Sequence, residues 1–303
     1  RPPRSTLFPS TTLFRSAGAR LSGPDERVLD FMAKHGFNFL RLPTDYRFWT
    51  NGTDYFHPDE TIFKIIDSYL DACARRDIQL SLNLHRAPGY CINRNDLETH
   101  SLWTDAIAQD AFVFLWETFA KRYAGVPNRH ISFDLLNEPP NEGWSMTPDF
   151  TRERHNTLMR RTIAAIRAID PGREIVIDGL GGGNIAMPEL ADLNVIQSCR
   201  GYAPFKLTHY KASWANGSDQ WPVPTWPLTD GKDIWDRNAI VKFYEPWRAM
   251  AALGVNVHVG EFGRFNPTPN DVALAGFADL LDVYKMFGWG FALWGFVYSF
   301  ALI

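Results

Sequence analysis

Seven short apolar runs alternating with helical patterns, polar residues gathered at the ends of those runs, and 303 residues that are 45% hydrophobic and 21% charged together predict an α/β fold. Continuous apolar strands separated by helices form a parallel sheet covered on both faces. About 250 residues is a usual size for such a sheet closed into a (β/α)8 ring, the TIM-barrel architecture. The ring needs eight strands. With seven, the sequence predicts a truncated barrel whose first strand lies upstream of Ala17 and whose last helix lies beyond Ile303.

The runs, in order, are FNFLRLP (37–43), IQLSLNLH (78–85), ISFDLLN (131–137), EIVIDG (174–179), NVIQSCR (194–200), VNVHVGEF (255–262) and GFALW (290–294). Between them Ile62, Ile65, Ile66, Tyr69, Leu70 and Cys73 recur at the 3-4 spacing of one helix face, as do Phe112, Leu115, Trp116, Phe119 and Tyr123. An open doubly wound sheet is the alternative architecture and expects a GxGxxG turn after an early strand. DGLGGGN (178–184) fails that spacing because position 184 is Asn; it reads as a strand-to-helix loop with room for backbone to approach a ligand.

Both ends are unusual. Residues 1–16, RPPRSTLFPSTTLFRS, have no helical or strand period, and arginines and prolines interrupt what a signal peptide would need as a continuous apolar core. They resemble TLFPYTTLFRS, the conceptual translation of a common sequencing adaptor, with Ser10 in place of Tyr. On that reading residues 1–16 are an adaptor artefact on an assembled, metagenomic gene fragment, and residues 17–303 are an incomplete barrel; an ordinary leader is the other reading. The uncharged run FGWGFALWGFVYSFALI, Phe287 to Ile303, has three glycines in its first nine positions and falls short of the about 20 apolar residues a membrane helix needs. It reads as a strand running into a loop.

A net charge of −3 with mixed signs excludes a basic stripe for nucleic acid and implies no membrane surface. Cys73, Cys91 and Cys199 are too widely spaced for a metal pair and odd in number for a disulfide framework, so they read as core residues. Eleven tryptophans include Trp144, Trp214, Trp221 and Trp226 in loop-like stretches, where flat apolar faces suit sugar rings or protein partners.

The polar groups carry the functional signal. Arg41 precedes the end of one run, His85 ends the next, Asn137 and Glu138 follow the third, Tyr202 follows the fifth, Glu261 the sixth, and Trp294 ends the last. In a parallel barrel all strand C-termini open on one face, which is where the active site of this architecture lies. Asn137 and Glu138 alone could be a turn, but in a barrel they would face Glu261 across the mouth. Two carboxyl groups flanking an oxocarbenium-like centre are what glycoside hydrolysis requires, and retention requires them about 5 Å apart.

FNFLRLP, LNLHRAPG, FDLLNEP, GYAPFKLTHY, VHVGEFG and FALWGF, spanning about residues 24 to 300, are similar in order and spacing to glycoside hydrolase family 5, the cellulase-like retaining glycosidases. The resemblance implies a (β/α)8 catalytic domain over residues 17–303. It implies an endo-β-1,4-glucanase working by double displacement on a β-glycan oligosaccharide or polysaccharide, as a monomer, secreted or periplasmic, with no metal or organic cofactor. A β-mannanase or other β-glycan hydrolase, and a non-catalytic glycan-binding barrel, are the alternatives.

By resemblance Glu138 is the general acid/base and Glu261 the nucleophile. Arg41 favours the ionised nucleophile, or is a structural salt bridge. Asn137 bonds the sugar 2-hydroxyl, Tyr202 holds the nucleophile, Trp294 is the floor under the reacting sugar, with a cis peptide to Gly295, and His85 braces the site. The departure is Arg200, which stands where the family typically has histidine. A guanidinium pointing inward would favour ionised Glu138 and weaken the acid; one pointing away, or binding another substrate group, would not.

Overall fold

The computed structural model describes residues 21–295 and the backbone of residues 5–7. Ten strands are found among them: β1 (Ser5–Leu7), β2 (Phe39–Asp45), β3 (Gln79–Arg86), β4 (Ile131–Asp134), β5 (Ile175–Asp178), β6 (Ile196–Gly201), β7 (Leu228–Asp230), β8 (Asp233–Trp235), β9 (Val257–Phe262) and β10 (Gly290–Leu293). Eight of them form a closed parallel ring in the order β1-β10-β9-β6-β5-β4-β3-β2, and β7 and β8 pair as a separate antiparallel hairpin.

All seven predicted runs become barrel strands. Residues 17–303 supply seven of the eight ring strands, as the truncated barrel expects, and Ser5–Leu7 stands at the first-strand position, pairing with Phe291–Leu293 on one side and, through Thr6, with Phe39 on the other. A strand edge offers backbone N–H and C=O groups that any extended segment can meet without a side-chain signature. The pairing therefore closes the ring through the very residues read as adaptor.

Helices pack outside the ring because each carries one apolar stripe. The helix Glu60–Ala74 buries Phe63, Ile66, Tyr69, Leu70, Ala72 and Cys73, and starts where the Asp59 side chain accepts the Thr61 N–H at 2.8 Å. The helix Ala106–Arg122 buries Phe112, Leu115, Trp116 and Phe119. Inside the ring the pattern differs. Arg41, Ser81, Asn83, Ser132, Asp134, Asp178, Ser198 and Arg200 are all buried. They alternate along their strands with residues of the apolar core, such as Leu40, Leu42, Leu80 and Leu82, so the period of two sends one set to the helices and the other inward. Cys73, Cys91 and Cys199 are free and buried, as read from their spacing. Among the described residues no helix is long and apolar enough to cross a membrane.

One irregularity aims the site. β6 and β9 pair Cys199 with Val259 and then Arg200 with Glu261, so Gly260 is the extra residue of a bulge. Bulges re-aim neighbouring side chains, and this one brings Arg200 and Glu261 level at the mouth of the barrel.

Candidate active site

The C-terminal ends of the strands open into a cleft of about 800 Å³ lined by His85, Glu138, Tyr202, Glu261 and Trp294 among others. Five of the seven site residues read from the sequence thus share one wall-and-floor surface. The other two, Arg41 and Asn137, are fully buried beneath it. Trp144 and Trp214 line the rim together with Phe205, Trp235 and Phe243, whereas Trp226 is turned toward the outer helix Asn270–Phe287, where its Nε1 donates to Asp279 at 2.8 Å.

Glu261, on β9, is held by donors on both oxygens. Arg41 Nη1 donates to Oε1, and the Tyr202 hydroxyl donates to Oε2 at 3.1 Å. Arg41 is a buried fork: its Nε donates to Asp134 and its Nη2 to Asn137 Oδ1 at 3.1 Å, with Asp178 at 3.5 Å. Asn137 Oδ1 also accepts Arg200 Nη2 at 2.9 Å. Two guanidinium donors on that oxygen fix the amide orientation, and Nδ2 is left as a buried donor without a protein partner.

Glu138 follows β4 in the left-handed region, φ +48°, uncommon for a residue with a Cβ. Its N–H donates to Asp178 at 2.9 Å and its carbonyl accepts the Tyr90 hydroxyl at 2.6 Å, so the turn is pinned from both sides. The side chain is 17% exposed and Oε1 accepts Arg200 Nε at 2.8 Å. Burial first, and then the Glu261 charge, push the Glu138 carboxyl up to about 7 against the pull of Arg200. Arg200 therefore points inward, yet the acid stays high.

A further, smaller push comes from a residue that the sequence reading passed over. Asp178, at the end of β5, takes Arg200 Nη1 at 3.0 Å and also accepts from Nη2. Burial alone would raise Asp178, but Arg200 and Arg41 outweigh it and hold the carboxyl down to about 2. Asp134 is pushed by burial up to about 6, with Arg41 opposing. Asp178 nearly ends its apolar run, EIVIDG, so the strand-end rule that selected Glu138 and Glu261 could have selected it too, whereas Asp134 lies in the middle of ISFDLLN.

His85 stacks on Trp294 with ring centroids 5.7 Å apart and 22° between planes. Burial first, then Arg41 and Arg200, hold its imidazole well below the usual range, so the ring is neutral. The cis peptides among the described residues are Ala203–Pro204 and Trp226–Pro227, and the expected one at Trp294–Gly295 is not among them. Gly295 follows Trp294 in the left-handed region, φ +88°, which favours glycine. Among the described residues no group of three or more His, Cys, Asp or Glu could hold a metal ion.

Residues 8–296 match the family model described as cellulase, glycosyl hydrolase family 5. Endoglucanase C of Acetivibrio thermocellus is 34% identical over 200 residues, 64% of this chain and 54% of that protein. Cellodextrinase A of Ruminococcus flavefaciens is 29% identical over 195 residues, 62% and 54% respectively. The chain spans about half the length of the curated relatives it matches. Among solved structures, one described as a glycoside hydrolase is 53% identical, with a TM-score of 0.94 over 99% of this chain and 91% of that one. Endoglucanase Cel5A from Thermotoga maritima shares the fold at 20% identity, with a TM-score of 0.81 over 99% of this chain and 91% of that one.

Proposed function

The chain belongs to glycosyl hydrolase family 5, and from that premise we propose that it is a retaining endo-glucanase cleaving β-1,4-linked glucan by double displacement. Neutral Glu138 gives its proton to the glycosidic oxygen as the Glu261 carboxylate attacks the anomeric carbon. The carbon–oxygen bond breaks, the leaving sugar departs as an alcohol, and a glycosyl ester remains on Glu261. Glu138, now a carboxylate, takes a proton from water; that water's oxygen attacks the anomeric carbon, and the Glu261 carboxylate leaves.

The observation that carries this reading is the division of labour between the two carboxyls. Glu138 is pushed up to about 7 by burial and by its partner's charge, so it holds its proton below neutral pH, while Glu261 is met by Arg41 and Tyr202 on its two oxygens, a donor set that suits a carboxylate. One raised acid beside a carboxylate held by donors suits a division into one acid and one nucleophile. Arg200 reaches Glu138 through Nε at 2.8 Å and Glu261 through Nη2 at 3.5 Å, so one guanidinium faces both carboxyls. Asn137 Nδ2 is the donor for the 2-hydroxyl. Tyr202 holds the nucleophile, Trp294 stacked on neutral His85 forms the floor, and the rim aromatics face further sugars.

The test is turnover of soluble β-1,4-glucan, followed by reducing ends and by proton NMR of the first-formed anomer, with β-mannan alongside. The proposal expects the β-anomer first and no turnover by Glu261→Ala. Binding without turnover, or the α-anomer first, overturns it.

A further inference from the structure

Arg200 is the least expected group in the site, and three features show that the fold is built around it. Its side chain is fully buried. A Cβ on Gly183, itself at φ +80°, would come within 2.5 Å of Arg200 Cγ. A Cβ on Gly260, the bulge residue of β9, would come within 2.8 Å of Arg200 Nη1 and 2.2 Å of Ser198 Oγ. The glycine-rich stretch at 181–183 thus makes room for an arginine, in addition to lining the cleft with Gly181 and Gly182. Ser198 Oγ accepts Arg200 Nη1 at 3.1 Å, and the Arg200 carbonyl accepts the Tyr244 hydroxyl at 2.9 Å.

We propose that Arg200 and Asp178 act as a charge-cancelled positioning pair: Arg200 fixes the acid/base carboxyl with a proton it cannot exchange, and Asp178 removes the electrostatic penalty of placing a guanidinium there. The inference rests on the reading of Glu138 as the general acid. Asp178 serves twice, since its Oδ2 accepts the Glu138 N–H as well as Arg200 Nη2. One carboxylate therefore sets both the backbone of the acid and the charge of the group bound to it. A histidine at position 200 would titrate near working pH, whereas guanidinium stays charged throughout. The pair makes the bracing of Glu138 independent of pH.

The charged and titratable groups facing this pair come from five strands. Arg41 stands on β2 and His85 on β3, with Tyr90 just beyond; Asp134 is on β4, with Glu138 after it. Tyr202 follows β6, and Glu261 stands on β9. Arg41 contacts Asp178 at 3.5 Å and is already engaged by Asp134 and Glu261. Loss of Asp178 would leave Arg200, which is bonded to Glu138, and Arg41 with one fewer carboxylate between them. A neighbouring charge at this range moves a carboxyl by about 1–3 pKa units.

The test uses the basic limb of kcat/KM against pH on cellotetraose and on 2,4-dinitrophenyl β-cellobioside. Asp178→Asn keeps an acceptor for the Glu138 N–H and is expected to move the limb down by about one pH unit or more, costing about fivefold or more at neutral pH on cellotetraose. The loss on the dinitrophenyl substrate, whose leaving group needs little acid help, is expected to be several-fold smaller. Restoring neutrality in the double variant Asp178→Asn with Arg200→Gln is expected to return the limb toward the wild-type position. Arg200→Gln alone, which leaves Asp178 unbalanced, is expected to move it upward and serves if Asp178→Asn does not fold. Unmoved limbs, or equal losses on both substrates, would show a merely structural pair and overturn the inference. A wild-type protein without turnover would instead refute the proposed function before any variant is made.

Discussion

Replacing Glu138 with Gln should stabilise the protein near neutral pH while removing its acid. The folded carboxyl sits at about 7 against an ordinary 4.5. Between those values the folded state holds a proton that the unfolded chain has lost, so ν_N exceeds ν_U and stability falls as pH rises. At 1.36 kcal/mol per pKa unit the whole interval amounts to about 3 kcal/mol. Gln has the same shape, still offers an acceptor to Arg200 Nε, and has no proton to lose. Contributions from Asp134, Asp178 and other groups are common to both proteins, so they largely cancel in the difference. Urea unfolding of wild type and Glu138→Gln at pH 5 and 6.5 should show the variant's relative stability growing by about 2 kcal/mol across that step. A difference that stays constant would mean that Glu138 is not held neutral by the fold, and the assignment of the acid would fall with it.

Other variants probe the supports. Arg41→Met leaves Asp134 and Glu261 without their shared buried guanidinium; breaking such a pair costs about 3–5 kcal/mol, read as a lower urea midpoint. Arg41→Lys keeps the charge but not the fork, so it should recover part of that stability and little of the activity. Gly183→Ala puts a Cβ into Arg200 at a left-handed position, and should lower kcat more than it changes KM, with a loss of stability of about 1–2 kcal/mol. A wild-type kcat and urea midpoint in that variant would show that the slot is not filled by Arg200.

Much of the fold was legible because continuous apolar runs and 3-4 helical stripes are local signals. The runs even carried the polar interior in plain view: Arg41 in FLRLP, Asn83 and His85 in LSLNLH, Asp134 in ISFD. What escaped was non-local. The β7–β8 hairpin had only Gly231 at φ +64° between two three-residue strands as its mark, in the stretch LTDGKDIW, where Asp-Gly was an available turn signal. Closure of the ring by Ser5–Leu7 is a backbone pairing between segments far apart in the chain. Both glutamates and the five groups around them were placed by their strand ends. The direction of Arg200 could not be read, because it depends on Asp178 one strand away and on two glycines, Gly183 after β5 and Gly260 within β9. An arginine in a site looks like a poison for an acid until its counter-charge is found.

The measurement closest to the central claim is the trapping of the glycosyl ester. Incubation with 2,4-dinitrophenyl 2-deoxy-2-fluoro-β-cellobioside slows release of the sugar from a covalent intermediate, and peptide mass spectrometry locates it. The account predicts one fluorocellobiosyl group per chain, carried by Glu261 in the VHVGEF strand, and none in Glu261→Ala. A label on Glu138, or stoichiometric dinitrophenol release with no label on the protein, would contradict it.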